Sequence, residues 1–109
     1  MGLVKAGNGY LILTSEPGSS NSTSDEIGRV LFYQPVLAWP AIISTTFTVR
    51  ISPFPNSTVC GDGMTFIFAQ DNLTSPPSST GSYLGIMDPS TEGGVVRQLG
   101  IELDTYKNE

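Results

Sequence analysis

The feature that most narrows what this chain can fold into is a two-residue hydrophobic period. In "AIISTTFTVRIS" (41–52), Ile43, Thr45, Phe47, Val49 and Ile51 share one face of an extended chain, while Ser44, Thr46, Thr48 and Arg50 share the other. The alternation returns in "VVRQLGIELDTY" (95–106), where Val95, Leu99, Ile101 and Leu103 face one way and Gln98, Glu102, Asp104 and Tyr106 the other. Successive side chains of a β-strand point to opposite sides. A period of two therefore commits a segment to a sheet with one apolar face, and it does not match the 3.6-residue repeat of an amphipathic helix.

The rest of the chain is punctuated to suit. "GYLILTS" (9–15) and "GRVLFYQPVLAW" (28–39) have strand character, the second interrupted by Pro35, and Pro40 marks a break after Trp39. "MTFIFA" (64–69) is apolar on both faces, as expected of a strand buried in the middle of a sandwich, and "YLGIM" (83–87) reads as a short strand. The stretches between, "EPGSSNSTSDE", "PFPNSTVCGDG", "QDNLTSPPSSTGS" and "DPSTEGG", carry the Pro, Gly, Ser and Asn that turns require. Turn signals every ~8 to 12 residues predict a β-sandwich or jelly roll. Trp39, Phe47, Phe66 and Phe68 are expected in its core, and Cys60 is expected as a small buried hydrophobe. No repeat or composition shift divides the 109 residues, which make one domain or part of one.

Charge and residue usage remove several functional classes. Ten acidic residues against five basic ones give a net charge of −5, and no run of Lys or Arg could track a phosphate backbone, so nucleic acid is a poor partner. No apolar stretch approaches the roughly 18 to 20 residues needed to span a bilayer, and Met1 is not followed by a basic segment and an apolar core. The expectation is a chain with no membrane segment and no leader of its own. One cysteine and no histidine exclude an intrachain disulfide and a multi-cysteine zinc site, and they leave a hydrolytic triad without its usual base. Three N-x-S/T sequons, at Asn21, Asn56 and Asn72, fall in polar stretches and suit a glycosylated, secreted protein.

The residues with most chemistry close the chain, in "IELDTYKNE" (101–109). Glu102 and Asp104 alternate on a strand, which sets them roughly 6.5 to 7 Å apart on one face. Two such carboxylates repel when exposed and gain when a divalent cation sits between them. A turn after Tyr106 would bring a backbone carbonyl and the Asn108 side chain, both oxygen donors of the kind calcium prefers. Any solvated strand face shows the same spacing, and Asp62 in "CGDG" taken alone is an ordinary Asp-Gly turn.

Six segments together say more. "NGYLILT", "GRVLFYQPVLAW", "STTFTVRI", "GDGMTFIFA", "GSYLGIMD" and "LGIELDTYKNE" stand in the order and at the spacings of the plant legume lectins, a family this chain resembles almost end to end. It also resembles the extracellular domain of lectin receptor-like kinases. The resemblance implies an all-β, concanavalin-like jelly-roll sandwich, of which residues 1–109 are a partial legume lectin domain, incomplete at both ends. An opening strand would precede "NGYLILT". An aspartate and a histidine of the metal site, the back-sheet strands and the loop that sets sugar specificity would follow Asn108.

The function implied is carbohydrate binding without catalysis, dependent on one calcium and one manganese ion. Carried over residue by residue, Glu102 would bind the transition metal and Asp104 would bridge both ions. Tyr106 would offer its main-chain carbonyl to calcium, and Asn108 its side-chain oxygen to calcium and its amide nitrogen to sugar. Asp62 would accept hydrogen bonds from sugar hydroxyls, and the backbone at Gly81 and Ser82 would donate them. Ser82 stands where the family often has glycine, which puts pocket width or preference in doubt. So few protein ligands imply weak metal and sugar binding by the chain alone. The implied partners are carbohydrate or glycoprotein glycans, with a homo-oligomeric full-length parent, secreted, vacuolar or at the cell surface of a plant.

Two alternatives stand beside this. One is a lectin-like interaction or receptor module that does not bind sugar. The other is a jelly-roll glycoside hydrolase with an E-x-D-x-E strand; here Tyr106 replaces the second glutamate and Glu109 comes three residues late, so hydrolysis is disfavoured.

Overall fold

The computed structural model describes residues 4–15, 26–37, 40–58, 61–91 and 98–106. Asn21, Trp39, Cys60, Val95, Asn108 and Glu109 lie outside the described residues. Regular structure within them is almost wholly β: β1 (Lys5–Ala6), β2 (Leu11–Ile12), β3 (Gly63–Ala69) and β4 (Gln98–Asp104), with one 3₁₀ turn at Gly81–Tyr83.

β1 and β2 form a short antiparallel hairpin, Lys5 opposite Ile12 and Ala6 opposite Leu11. Gly9, at φ +83°, turns the chain, and the Gly7 N–H closes the loop on the Tyr10 carbonyl at 2.9 Å. Residues 26–29 come alongside 13–15, where a Cβ on Gly28 would lie on the Leu13 carbonyl oxygen. There Ser15 donates its N–H (2.8 Å) and hydroxyl (2.7 Å) to the Glu26 carboxylate.

The larger sheet pairs β3 with β4 antiparallel over seven residues, from Gly63↔Asp104 to Ala69↔Gln98. Alternation then sorts the side chains. Met64, Phe66 and Phe68 share one face with their partners Leu103, Ile101 and Leu99, while Thr65, Ile67 and Ala69 share the other with Glu102, Gly100 and Gln98. Phe66 stacks on Phe47 (centroids 5.3 Å apart, rings 9° from parallel) and meets Phe68 edge-on at 5.3 Å. An open groove of about 370 Å³ runs between residues 43–47 and this apolar face.

Among the described residues, the polar face is covered at one end only. Residues 75–91 fold over Gly100, where an added Cβ would meet Thr65 Cγ2 at 2.6 Å and Ile86 Cδ1 at 3.1 Å. Gln98 Nε2 donates to the Ile86 carbonyl at 3.4 Å. Ser79, fully buried, donates its hydroxyl to the Pro76 carbonyl at 2.6 Å. Glu102 and Asp104 lie beyond this cover and are exposed.

Three expectations need correcting. Residues 41–52, the clearest strand in the sequence, belong to no ladder among the described residues, although Ile43 and Phe47 do face the apolar side of the sheet. "YLGIM" is a turn, because Leu84 (φ +49°) and Gly85 (φ +75°) take left-handed backbone that a strand excludes. The expected core is open as well: among the described residues no hydrophobic side chain is buried, and Phe47 and Phe68 keep 47% and 37% of their surface exposed. Stacking brings the phenyl rings together, but a two-stranded sheet has too little area to enclose them.

Candidate functional site

The candidate site is built at the end of the sheet where β3 begins and β4 finishes. Glu102 stands opposite Thr65, and Asp104 opposite Gly63. A side chain at 63 is doubly excluded: φ is +140°, and a Cβ would sit 2.3 Å from the Leu103 carbonyl oxygen. The glycine lets the two backbones close tightly and leaves the space beside Asp104 clear.

The pairing runs one residue past the last ladder partners. The Thr105 N–H donates to the Asp62 carbonyl at 3.2 Å, and the Thr105 hydroxyl donates to the Gly61 carbonyl at 2.6 Å. Residues more than forty positions apart in sequence are thereby fastened side by side. Asp104 accepts the Tyr106 N–H at Oδ1 (2.8 Å), an Asx-type contact that bends the chain as it leaves β4.

A third segment approaches from residues 75–91. Gly81 has φ +63° and opens the 3₁₀ turn, closed by the Leu84 N–H on its carbonyl at 3.0 Å. A Cβ built on Gly81 would meet Asp62 Oδ2 at 3.9 Å, so the Asp62 carboxylate faces this glycine. Ser82 is exposed on the same turn.

The structure thus gathers Asp62, Gly81, Glu102 and Asp104 at one end of one sheet, with the Tyr106 backbone following directly. Thr105 escapes a sequence reading. It occupies a spacer position between Asp104 and Tyr106, and nothing in a single sequence announces a hydroxyl that bonds to a distant carbonyl.

Glu102 and Asp104 are exposed oxygen donors on one face of the sheet, and Asp62 near them is half-buried, a set that fits a hard cation in kind. They do not fit in number. Among the described residues no group of three or more Asp, Glu, Cys or His side chains is placed to hold an ion, and calcium takes six to eight oxygens. Nor is any helix among the described residues long and apolar enough to cross a membrane.

A sheet whose end gathers carboxylates and turn backbone presents hydrogen-bond acceptors and donors that suit hydroxyl-rich or cationic ligands. Comparison with known proteins makes the class particular: residues 3–109 match the legume lectin domain, and the chain belongs to that family. The family is one of carbohydrate-binding proteins, not enzymes. The chain is 31% identical to agglutinin-2 of Cladrastis kentukea over 96% of its own length and 38% of that protein's. It is 34% identical to a lectin of Onobrychis viciifolia over 93% of its length and 43% of the other. It is also 29% identical to truncated lectin 2 of Medicago truncatula over 97% of its length and 40% of the other. It spans about two-fifths of the length of these curated relatives. No solved structure matches it.

Proposed function

We propose that this chain forms part of a cation-dependent carbohydrate-binding domain. Asp62, the backbone at Gly81 and Ser82, and Asn108 recognise sugar hydroxyls, while Glu102, Asp104, the Tyr106 carbonyl and the Asn108 side chain would supply part of the ligand set for calcium and manganese, the rest coming from outside these residues. The observation that carries the proposal is the register of β3 on β4, which seats the Asp62 loop against the strand that bears Glu102 and Asp104.

When bound, the cations supply the positive charge that offsets repulsion between the carboxylates. The remaining work falls to the chain. The Asp62 carboxylate accepts hydroxyl hydrogen bonds, charge-assisted contacts worth about 1.5–3 kcal/mol each. Gly81, lacking a Cβ, leaves room for a sugar ring beside that carboxylate, and the turn presents main-chain donors at Gly81 and the exposed Ser82. Recognition ends in binding.

Secretion, N-glycosylation and homo-oligomerisation of the parent belong to the same proposal. The exposure of Asn56 and Asn72 supports the glycosylation sites; Asn21 lies outside the described residues. The test is retention of the whole lectin domain on immobilised mannose or galactose. Retention abolished by EDTA and restored by calcium plus manganese is expected. Passage through every sugar column with the metals present, by a folded domain, would leave the interaction or receptor module as the better account.

A further inference from the structure

We propose that Thr105 is a positioning residue, a clamp that fixes the direction of the Asp62 carboxylate from the strand carrying Glu102 and Asp104. The sugar-binding consequence rests on the function proposed above; the clamp itself does not.

The geometry is specific. The Gly61 carbonyl belongs to the peptide unit before the Asp62 Cα, and the Asp62 carbonyl to the unit after it. Thr105 holds both, the first through its hydroxyl at 2.6 Å and the second through its N–H at 3.2 Å. Peptide units are planar, so pinning the two that flank one Cα restricts its φ and ψ together. Only the side-chain torsions of Asp62 stay free, and Asp62 Oδ2 faces Gly81. The β-branched Thr105 side chain has few χ1 states, so its hydroxyl reaches Gly61 at little entropic cost. The strand that carries the proposed cation ligands thereby orients the proposed sugar acceptor without a cation.

Thr105 is exposed, so water competes for these bonds and the clamp is modest. Loss of the hydroxyl bond raises the opening of the loop by about 2- to 10-fold. Thr105→Val removes the hydroxyl and keeps the N–H and the branching; Thr105→Ser keeps the hydroxyl; Thr105→Ala removes hydroxyl and methyl together.

Amide hydrogen exchange is measured at 61–63 and at position 105 in the whole lectin domain, with and without calcium. The expected result is 2- to 10-fold faster exchange there in T105V and T105A, near-wild-type exchange in T105S, and no change elsewhere in β3 or β4. The calcium concentration for half-maximal sugar retention should rise by a similar factor in T105V and recover in T105S. Unchanged exchange in T105V overturns the clamp. So does loss in T105A without loss in T105V, which would assign the effect to the methyl, and so does failure of T105S to recover. Should T105V not fold, the contrast between T105S and T105A decides by the same criteria. Faster exchange in T105V alongside a wild-type domain that retains no sugar would uphold the clamp and reject the carbohydrate proposal.

Discussion

Replacing Gly63 by alanine tests how the site end of the sheet is built. The new Cβ would lie 2.3 Å from the Leu103 carbonyl oxygen, 3.2 Å from its carbon and 3.3 Å from the Asp104 Cα. Comfortable non-bonded contact needs roughly 3.5 Å, so β3 and β4 must part by about 1 Å at this pair. The atoms in the way are backbone and cannot swing aside. A φ of +140° adds a conformational penalty of about 1–3 kcal/mol for a residue with a side chain. Together these predict a loss of about 2–4 kcal/mol, a large part of the ~5–15 kcal/mol that stabilises a typical domain. Gly61→Ala is the control, since a Cβ there meets nothing within 4 Å, and its effect should stay within about 0.5 kcal/mol. Urea denaturation followed by circular dichroism on the lectin domain measures both. A Gly63→Ala variant as stable as the Gly61→Ala control would refute the tight crossing and the register that places Asp62 beside β4.

Removing one carboxylate charge at ~4 Å from a divalent ion in water forfeits about 2 kcal/mol, so Glu102→Gln and Asp104→Asn should each weaken calcium or manganese binding roughly thirtyfold by calorimetric titration. Equal affinity in wild type and both variants would place the ions elsewhere. The parallel stack of Phe47 on Phe66 predicts a coupling of about 0.5–1 kcal/mol in a double-mutant cycle to alanine, and a coupling near zero would mean that the rings merely sit close. The Ser90 hydroxyl, then the Ser90 and Thr91 N–H groups, hold the Asp88 carboxyl below its ordinary value of 3.8. Its folded-state pKa is depressed, so its contribution is present above pH 3.8 and is lost as pH falls through the lowered value. The stability difference between wild type and Asp88→Asn should therefore shrink on acidification below pH 3.8, and a difference that grows there would contradict the turn's hydrogen bonding.

Much of the larger sheet was legible, β4 from its two-residue period and β3 as a short apolar run bounded by turn residues. "MTFIFA" and the end of "VVRQLGIELDTY" are strands in register, and Glu102 and Asp104 do share a face. The pairing of 41–52 was not legible. Alternation names the apolar face of an extended segment but not its hydrogen-bond partner, and Ile43 and Phe47 face the groove without a ladder among the described residues. "YLGIM" misled because its apolar residues hide the left-handed conformations of Leu84 and Gly85, whose N–H groups donate to the Gly81 and Ser79 carbonyls. At the site, the residue types of Asp62 and Gly81 were readable, while their approach to each other depends on residues 75–91 folding back over the sheet. Thr105 lay beyond reach because its bonds span the chain.

Manganese anomalous scattering from crystals of the lectin domain, grown with calcium, manganese and a monosaccharide, tests the cation-organised site most directly. The account predicts an anomalous peak within ligand distance of Glu102 and Asp104, and a sugar hydroxyl on the Asp62 carboxylate. Carboxylates facing bulk solvent, with manganese and sugar bound elsewhere or not at all, would contradict it.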